Sequence, residues 1–137
     1  MMRTRGFTLL ELLVVVLVVG ILASIAIPQY NDYTTRGKLA EATAALSDGR
    51  IKMEQFFQDN RTYAGGPTPA ATRYFTYAVS GTSNTAYVIT AQGNGSMADW
   101  TLSIDQSNTK RTTAAPTGWA AATMPSSCWI LRRGGVC

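Results

Sequence analysis

A chain of 137 residues, with 46% hydrophobic and 15% charged residues, has room for one modest domain and excludes a multidomain enzyme. It contains no histidine, which removes His-based triads, His metal ligands and the usual neutral-pH proton shuttle, and its formal net charge of +4 is too small to mark a protein that coats nucleic acid. The apolar residues are unevenly placed: they fill 17 of the 21 positions over residues 7–27. The two ends of the chain therefore need separate readings.

The run FTLLELLVVVLVVGILASIAI spans roughly 30 Å as a helix at about 1.5 Å per residue, enough to cross a bilayer's hydrocarbon core. Its flank MMRTRG carries Arg3 and Arg5 and no acid, so the positive-inside tendency puts the N-terminus in the cytoplasm and the bulk of the chain outside. A removable secretory signal is the alternative, with small residues at Ser24 and Ala26 available for cleavage. Against it, the run exceeds the usual core of about 7 to 15 residues, and Glu11 interrupts it near the start. An ionised group in an apolar segment is costly and marks a contact. Glu11 either reaches water at the cytoplasmic face or forms an ion pair in an assembly.

Arg5-Gly6-Phe7-Thr8-Leu9-Leu10-Glu11-Leu12, followed by an unbroken apolar stretch, resembles the class III signal of Gram-negative type IV pilins and related pseudopilins. The resemblance implies that a membrane prepilin peptidase cuts after Gly6, where a residue without a side chain lets a protease approach the backbone, and that the new first residue, Phe7, is N-methylated. It also implies that Glu11 neutralises the N-terminal amine of a neighbouring subunit as that subunit leaves the membrane for a filament. A desolvated amine and carboxylate are each costly alone, so the pair would set axial register as well as affinity. The implied partners are further pilin subunits in a helical filament, the peptidase, inner-membrane assembly machinery and the membrane itself. The implied location is the inner membrane, crossed once with the head periplasmic, and then the extracellular pilus.

Gly20 and Pro28 weaken helix continuity, Gly through backbone entropy and Pro through a missing donor and steric crowding, so a bend or weak zone is expected there. The resemblance implies that this stretch can lose helical hydrogen bonding in a filament. Tyr30 and Tyr33 follow the apolar run, where an amphipathic ring suits a membrane interface or subunit packing. Leu39, Ala42, Leu46, Gly49, Met53 and Phe56 then recur at alternating spacings of three and four, which predicts a helical stripe packed on a small domain. Lys38, Glu41, Arg50 and Lys52 are read as the opposite face. The helix is expected to end near Asn60, before a loop rich in Gly, Pro, Ala and Thr.

Three β-rich runs, residues 74–80, 86–92 and 100–105, are separated by Gly, Ser and Asn turn clusters and read as an antiparallel meander, with residues 110–114 as a short edge strand. Cys128 and Cys137 are too few for a thiolate metal site, and in an exported head they favour a disulfide across a loop that Gly134 and Gly135 help to turn. Loop-entropy arithmetic makes that bridge worth roughly 2 to 3 kcal/mol. The expected fold is α+β: residues 1–6 a leader, 7–27 a membrane and filament-core helix, 28–60 its amphipathic half, and 61–137 a β-sheet head with disulfide loop 128–137.

Eight scattered acids give no catalytic pair, and no phosphate-binding glycine motif is present, so neither an active site nor a cofactor or metal is expected. Asn60-Arg61-Thr62 and Asn94-Gly95-Ser96 match a glycosylation pattern but read as loops. Trp129 beside Arg132 and Arg133, with Lys110 and Arg111 nearby in sequence, combines the residue types of a DNA contact, against which stands a plain solvated basic loop. The reading that covers most of the residues is a structural subunit of a type IV pilus serving adhesion, twitching motility or DNA uptake. The alternatives are a minor pilin with a DNA-binding or adhesive role and a type II secretion pseudopilin.

Overall fold

A computed structural model describes residues 6–137. One long helix, α1 (Leu9–Asn60), precedes four strands, β1 (Phe75–Ser80), β2 (Val88–Gly93), β3 (Thr101–Asp105) and β4 (Lys110–Ala114). The contacts divide the chain into two compact units, one up to Thr34 and one from Thr35 to Cys137. In the first, every Leu, Val and Ile over residues 9–27 is exposed. The helical assignment runs uninterrupted through Gly20 and Pro28.

In the second unit the buried residues of α1 are Leu39, Ala42, Leu46, Gly49 and Met53. The expected stripe holds to that point and then departs from Phe56. Phe57, half-buried like Phe56, packs against the core instead. Eighteen residues separate Leu39 from Phe57, about five full turns at about 3.6 residues each, so Phe57 returns to the azimuth of Leu39 and Phe56 falls about 100° short. Gly49 is a notch in this face: a Cβ there would lie 2.6 Å from Pro69 Cγ and 3.2 Å from Ile89 Cδ1. Lys38, Glu41 and Arg50 do not form the solvent face read from sequence; they are half-buried along the flanks of the stripe, and of the four only Lys52 is exposed.

Helix α1 stops where Arg61 takes the left-handed region, φ 57°, and returns its N–H to the Phe57 carbonyl at 2.8 Å. An arginine fills a position that glycine usually holds. The strands pair in the order β1-β2-β3-β4, all antiparallel, with Tyr77 opposite Ala91, Ile89 opposite Ile104 and Ser103 opposite Arg111. Residues 110–114 do form the outer strand, and its edge is partly covered, because the Thr112 and Ser126 backbones exchange hydrogen bonds of 3.2 and 2.9 Å. The alternation along β2 and β3 turns Ile89, Ala91, Leu102 and Ile104 into a core shared with Trp100, Trp119 and Ile130.

Candidate functional site

Gly6, Phe7 and Glu11 are exposed, and Gly6 has open space around its Cα; Arg3 and Arg5 lie outside the described residues. The start of α1 is a capping box. The Glu11 N–H donates to Thr8 Oγ1 at 3.3 Å, and Glu11 Oε2 accepts from the Thr8 N–H and Oγ1, both at 3.4 Å. Glu11 thus satisfies donors of its own helix end, a local role its place in the apolar run did not suggest, although the Thr-x-x-Glu spacing carries that signal. Beyond it, α1 is long and apolar enough to cross a membrane, and its apolar side chains have no cover within the chain.

The head ends in the expected disulfide, Cys128–Cys137, with Cα atoms 6.0 Å apart. Inside this loop the Leu131 and Arg132 N–H groups donate to the Val136 carbonyl at 2.9 and 3.1 Å. Gly134 and Gly135, at φ 76° and 73°, turn the chain and donate to the carbonyls of Gly118 and Trp119, both at 2.9 Å. The loop is therefore fixed to the 116–121 turn as well as closed by its bridge. Its origin is set by Thr112, wholly buried, whose Oγ1 donates to the Cys128 carbonyl and accepts from the Ile130 N–H, each at 2.9 Å.

This arrangement corrects the reading of Trp129 as a stacking surface. Trp129 is 8% exposed and its Nε1–H donates to the Ser103 carbonyl at 2.9 Å, so its ring belongs to the core rather than to a base-stacking platform. Arg132 and Arg133 are exposed as expected. Lys110 Nζ lies 4.8 Å from the Trp129 ring centre, and the Arg133 guanidinium 5.8 Å from that of Trp119, distances at which a ring face attracts a cation. After Asp105 the sequence contains four cations, Lys110, Arg111, Arg132 and Arg133, and no acid. The positive charge of the head is thus concentrated in its last third.

Two arrangements had no separate signal in the sequence. Glu54, in α1, accepts a hydrogen bond from Tyr63 Oη at 3.1 Å and from Tyr87 Oη at 3.2 Å, one on each carboxylate oxygen. Tyr63 in turn stacks on Phe57 at 4.6 Å between ring centres and meets Tyr87 edge-on at 4.7 Å. Burial, reinforced by the neighbouring Glu54 carboxylate, raises the phenol pKa of both tyrosines above the ordinary 10.0. The second arrangement joins Lys38, Arg73, Tyr74 and Ser96 on the surface of the head. Among the described residues no group of Cys, Asp and Glu is disposed to hold a metal ion. A cavity of about 320 Å³ is lined by Val88, Ser103, Asp105 and Arg111, and Asp105 Oδ1 accepts from the Ser107 and Thr109 N–H groups, both at 2.9 Å.

Comparison with known proteins finds family matches over residues 1–103. Residues 1–27 match the family model described as a prokaryotic N-terminal methylation motif, and residues 28–103 match the one described as "Type IV minor pilin ComP, DNA uptake sequence receptor". A fimbrial protein of Pseudomonas aeruginosa is 40% identical over 74 residues, 54% of this chain and 48% of that protein. A type IV major fimbrial protein, FimA, of Dichelobacter nodosus is 50% identical over 56 residues, 40% of this chain and 34% of that protein. The matched stretches thus span about half or less of those relatives. The fold is shared with the Neisseria meningitidis non-core minor pilin PilV, with a TM-score of 0.55 at 17% identity over 71% of this chain and 96% of that one. The chain is a type IV pilin and belongs to the ComP minor-pilin family.

Proposed function

We propose that this pilin is a structural subunit of a type IV pilus, held in the inner membrane by residues 7–27 with its head periplasmic, and then polymerised through the same helix into an extracellular filament. The observation that carries the reading is the uncovered apolar surface of residues 9–27, which needs either lipid or the helices of neighbouring subunits around it. In this reading a prepilin peptidase removes residues 1–6 after Gly6 and Phe7 becomes the N-methylated first residue, in keeping with the methylation-motif match. Glu11 then exchanges its capping contacts with Thr8 for the amine of a neighbouring subunit, and the stretch between Gly20 and Pro28 is where helical hydrogen bonding is easiest to give up. Glu11→Ala tests this. Mass spectrometry of the N-terminus is expected to show normal cleavage after Gly6, while sheared cell-surface fractions lose their filaments. Filaments at wild-type abundance from that variant would overturn the reading.

A second reading, a minor pilin that contacts DNA during uptake, is favoured by the description of the matched family and by the four cations that follow Asp105 without an acid. The contact would run through Lys110, Arg111, Arg132 and Arg133, with Trp129 supporting Lys110 from beneath. Binding of the full chain to duplex DNA is expected to fall steeply with salt and to lose much of that slope in Arg132→Ala/Arg133→Ala. A salt slope unchanged in the double variant removes this reading.

A further inference from the structure

Lys38, in α1, places its ammonium 4.7 Å from the centre of the Tyr74 ring and donates to Ser96 Oγ at 2.9 Å. Arg73 places its guanidinium 5.6 Å from the same ring centre. The Asn94 N–H donates to the Tyr74 carbonyl at 2.8 Å, which docks the turn bearing Ser96 beside the ring. Two like charges therefore share one half-buried aromatic ring, and among the described residues neither forms an ion pair. A ring face holds a cation in place without cancelling its charge, as a carboxylate would. With one ammonium N–H on Ser96, Lys38 keeps donors to spare. Ser96 keeps its own O–H to donate, and the guanidinium supplies a planar fork. The cluster brings an ammonium, a guanidinium and a hydroxyl from three elements of the head around one ring.

We infer that this cluster binds the phosphate of an anionic phospholipid headgroup while the pilin is anchored in the membrane. The inference rests on the membrane-anchored stage proposed above. The two charge-bearing oxygens of a phosphodiester, each with several lone-pair directions, can accept from an ammonium, a guanidinium fork and a hydroxyl together. Lipid is favoured as the source because of the chain's own tether. Lys38 follows Tyr33 by five residues, and at no more than about 3.6 Å per residue it stays within about 18 Å of that ring-bearing position. Tyr30 and Tyr33, both exposed, are the residue type that sits at headgroup level. The cations after Asp105 carry no comparable tether to the anchor.

The test reconstitutes the full-length chain in nanodiscs of equal parts phosphatidylglycerol and phosphatidylcholine and counts retained lipids by native mass spectrometry. Co-elution of the chain with the discs reports on anchoring and is read separately from the lipid ratio. The wild type is expected to retain phosphatidylglycerol over phosphatidylcholine by at least fivefold. Lys38→Gln/Arg73→Gln brings that ratio close to one, Lys38→Arg preserves it, and Arg132→Gln/Arg133→Gln leaves it unchanged, with near-UV circular dichroism reporting the fold of each. An equal preference in the wild type and the Lys38/Arg73 double variant overturns the inference. So does retention of inorganic phosphate or a short DNA duplex by the detergent-solubilised chain that is lost in that double variant while the lipid ratio stays the same.

Discussion

Replacing Glu54 by Ala removes the one acceptor shared by Tyr63 and Tyr87. A hydrogen bond to a charged acceptor is worth about 1.5 to 3 kcal/mol, and the two here, at 3.1 and 3.2 Å, are long for a phenol on a carboxylate, so each belongs at the lower end. The two losses are unequal. Tyr87 is wholly buried, so its orphaned hydroxyl bears the desolvation cost of about 1 to 3 kcal/mol. Tyr63 retains slight exposure and can turn to water. Together they put Glu54→Ala at about 2 to 4 kcal/mol, or roughly 8 to 16 °C at about 4 °C per kcal/mol for a unit of this size. Tyr87→Phe, which removes donor and demand together, should cost only about 1 kcal/mol. In its background Glu54→Ala should cost about 1 to 2 kcal/mol less than it does alone. The assay is thermal unfolding of the full chain in detergent, followed by near-UV circular dichroism. A loss below about 0.5 kcal/mol for Glu54→Ala, or strict additivity with Tyr87→Phe, would refute the shared-acceptor reasoning.

The same phenols make the head sensitive to alkali. Their folded pKa values lie above the unfolded value, so the stability they contribute is complete below about pH 10 and is lost as pH rises through the folded values; melting temperature should be flat from about pH 7 to 9.5 and fall beyond, with a shallower fall in Tyr87→Phe. Trp129→Phe removes the indole donor to the Ser103 carbonyl and should cost about 1 kcal/mol by thermal unfolding, whereas Arg132→Ala should stay within about 0.5 kcal/mol. Cys128→Ser with Cys137→Ser should cost about 2 to 3 kcal/mol in the same measurement.

Local pattern carried most of the architecture because the chain's elements are regular where they pack. Alternating spacings of three and four located the stripe from Leu39 to Met53, and β-rich runs between turn clusters located the strands. The misplacements have physical causes. The second strand begins at Val88 rather than at residue 86 because the Ala86 carbonyl accepts from Ser83 in a turn and the Tyr87 N–H donates to the Gln106 side chain, leaving neither for the ladder. Trp129 looked like surface because two arginines lie close by in sequence. Its direction is set instead by the Thr112 side chain, sixteen residues from Cys128, which no local pattern reveals. Glu54, Tyr63 and Tyr87 likewise meet across as many as 33 positions, and each alone reads as an ordinary helix, loop or strand residue.

Helix α1 is under two different selective physics along its length. Leu46 is wholly buried within the head, and Leu46→Ala should cost about 2 to 5 kcal/mol, counting both lost transfer energy and the cavity left behind. Leu17, 63% exposed, touches no core; its cover must come from outside the chain. Leu17→Ala should therefore leave unfolding of the head within about 0.5 kcal/mol of wild type while lowering the yield of sheared filaments, since each subunit loses apolar contact with every neighbour that surrounds it. The paired measurement separates the two environments. If Leu17→Ala lowered the unfolding temperature of the head as far as Leu46→Ala does, the apolar half of the helix would be a part of the fold, and the case for an external partner resting on its exposure would fail.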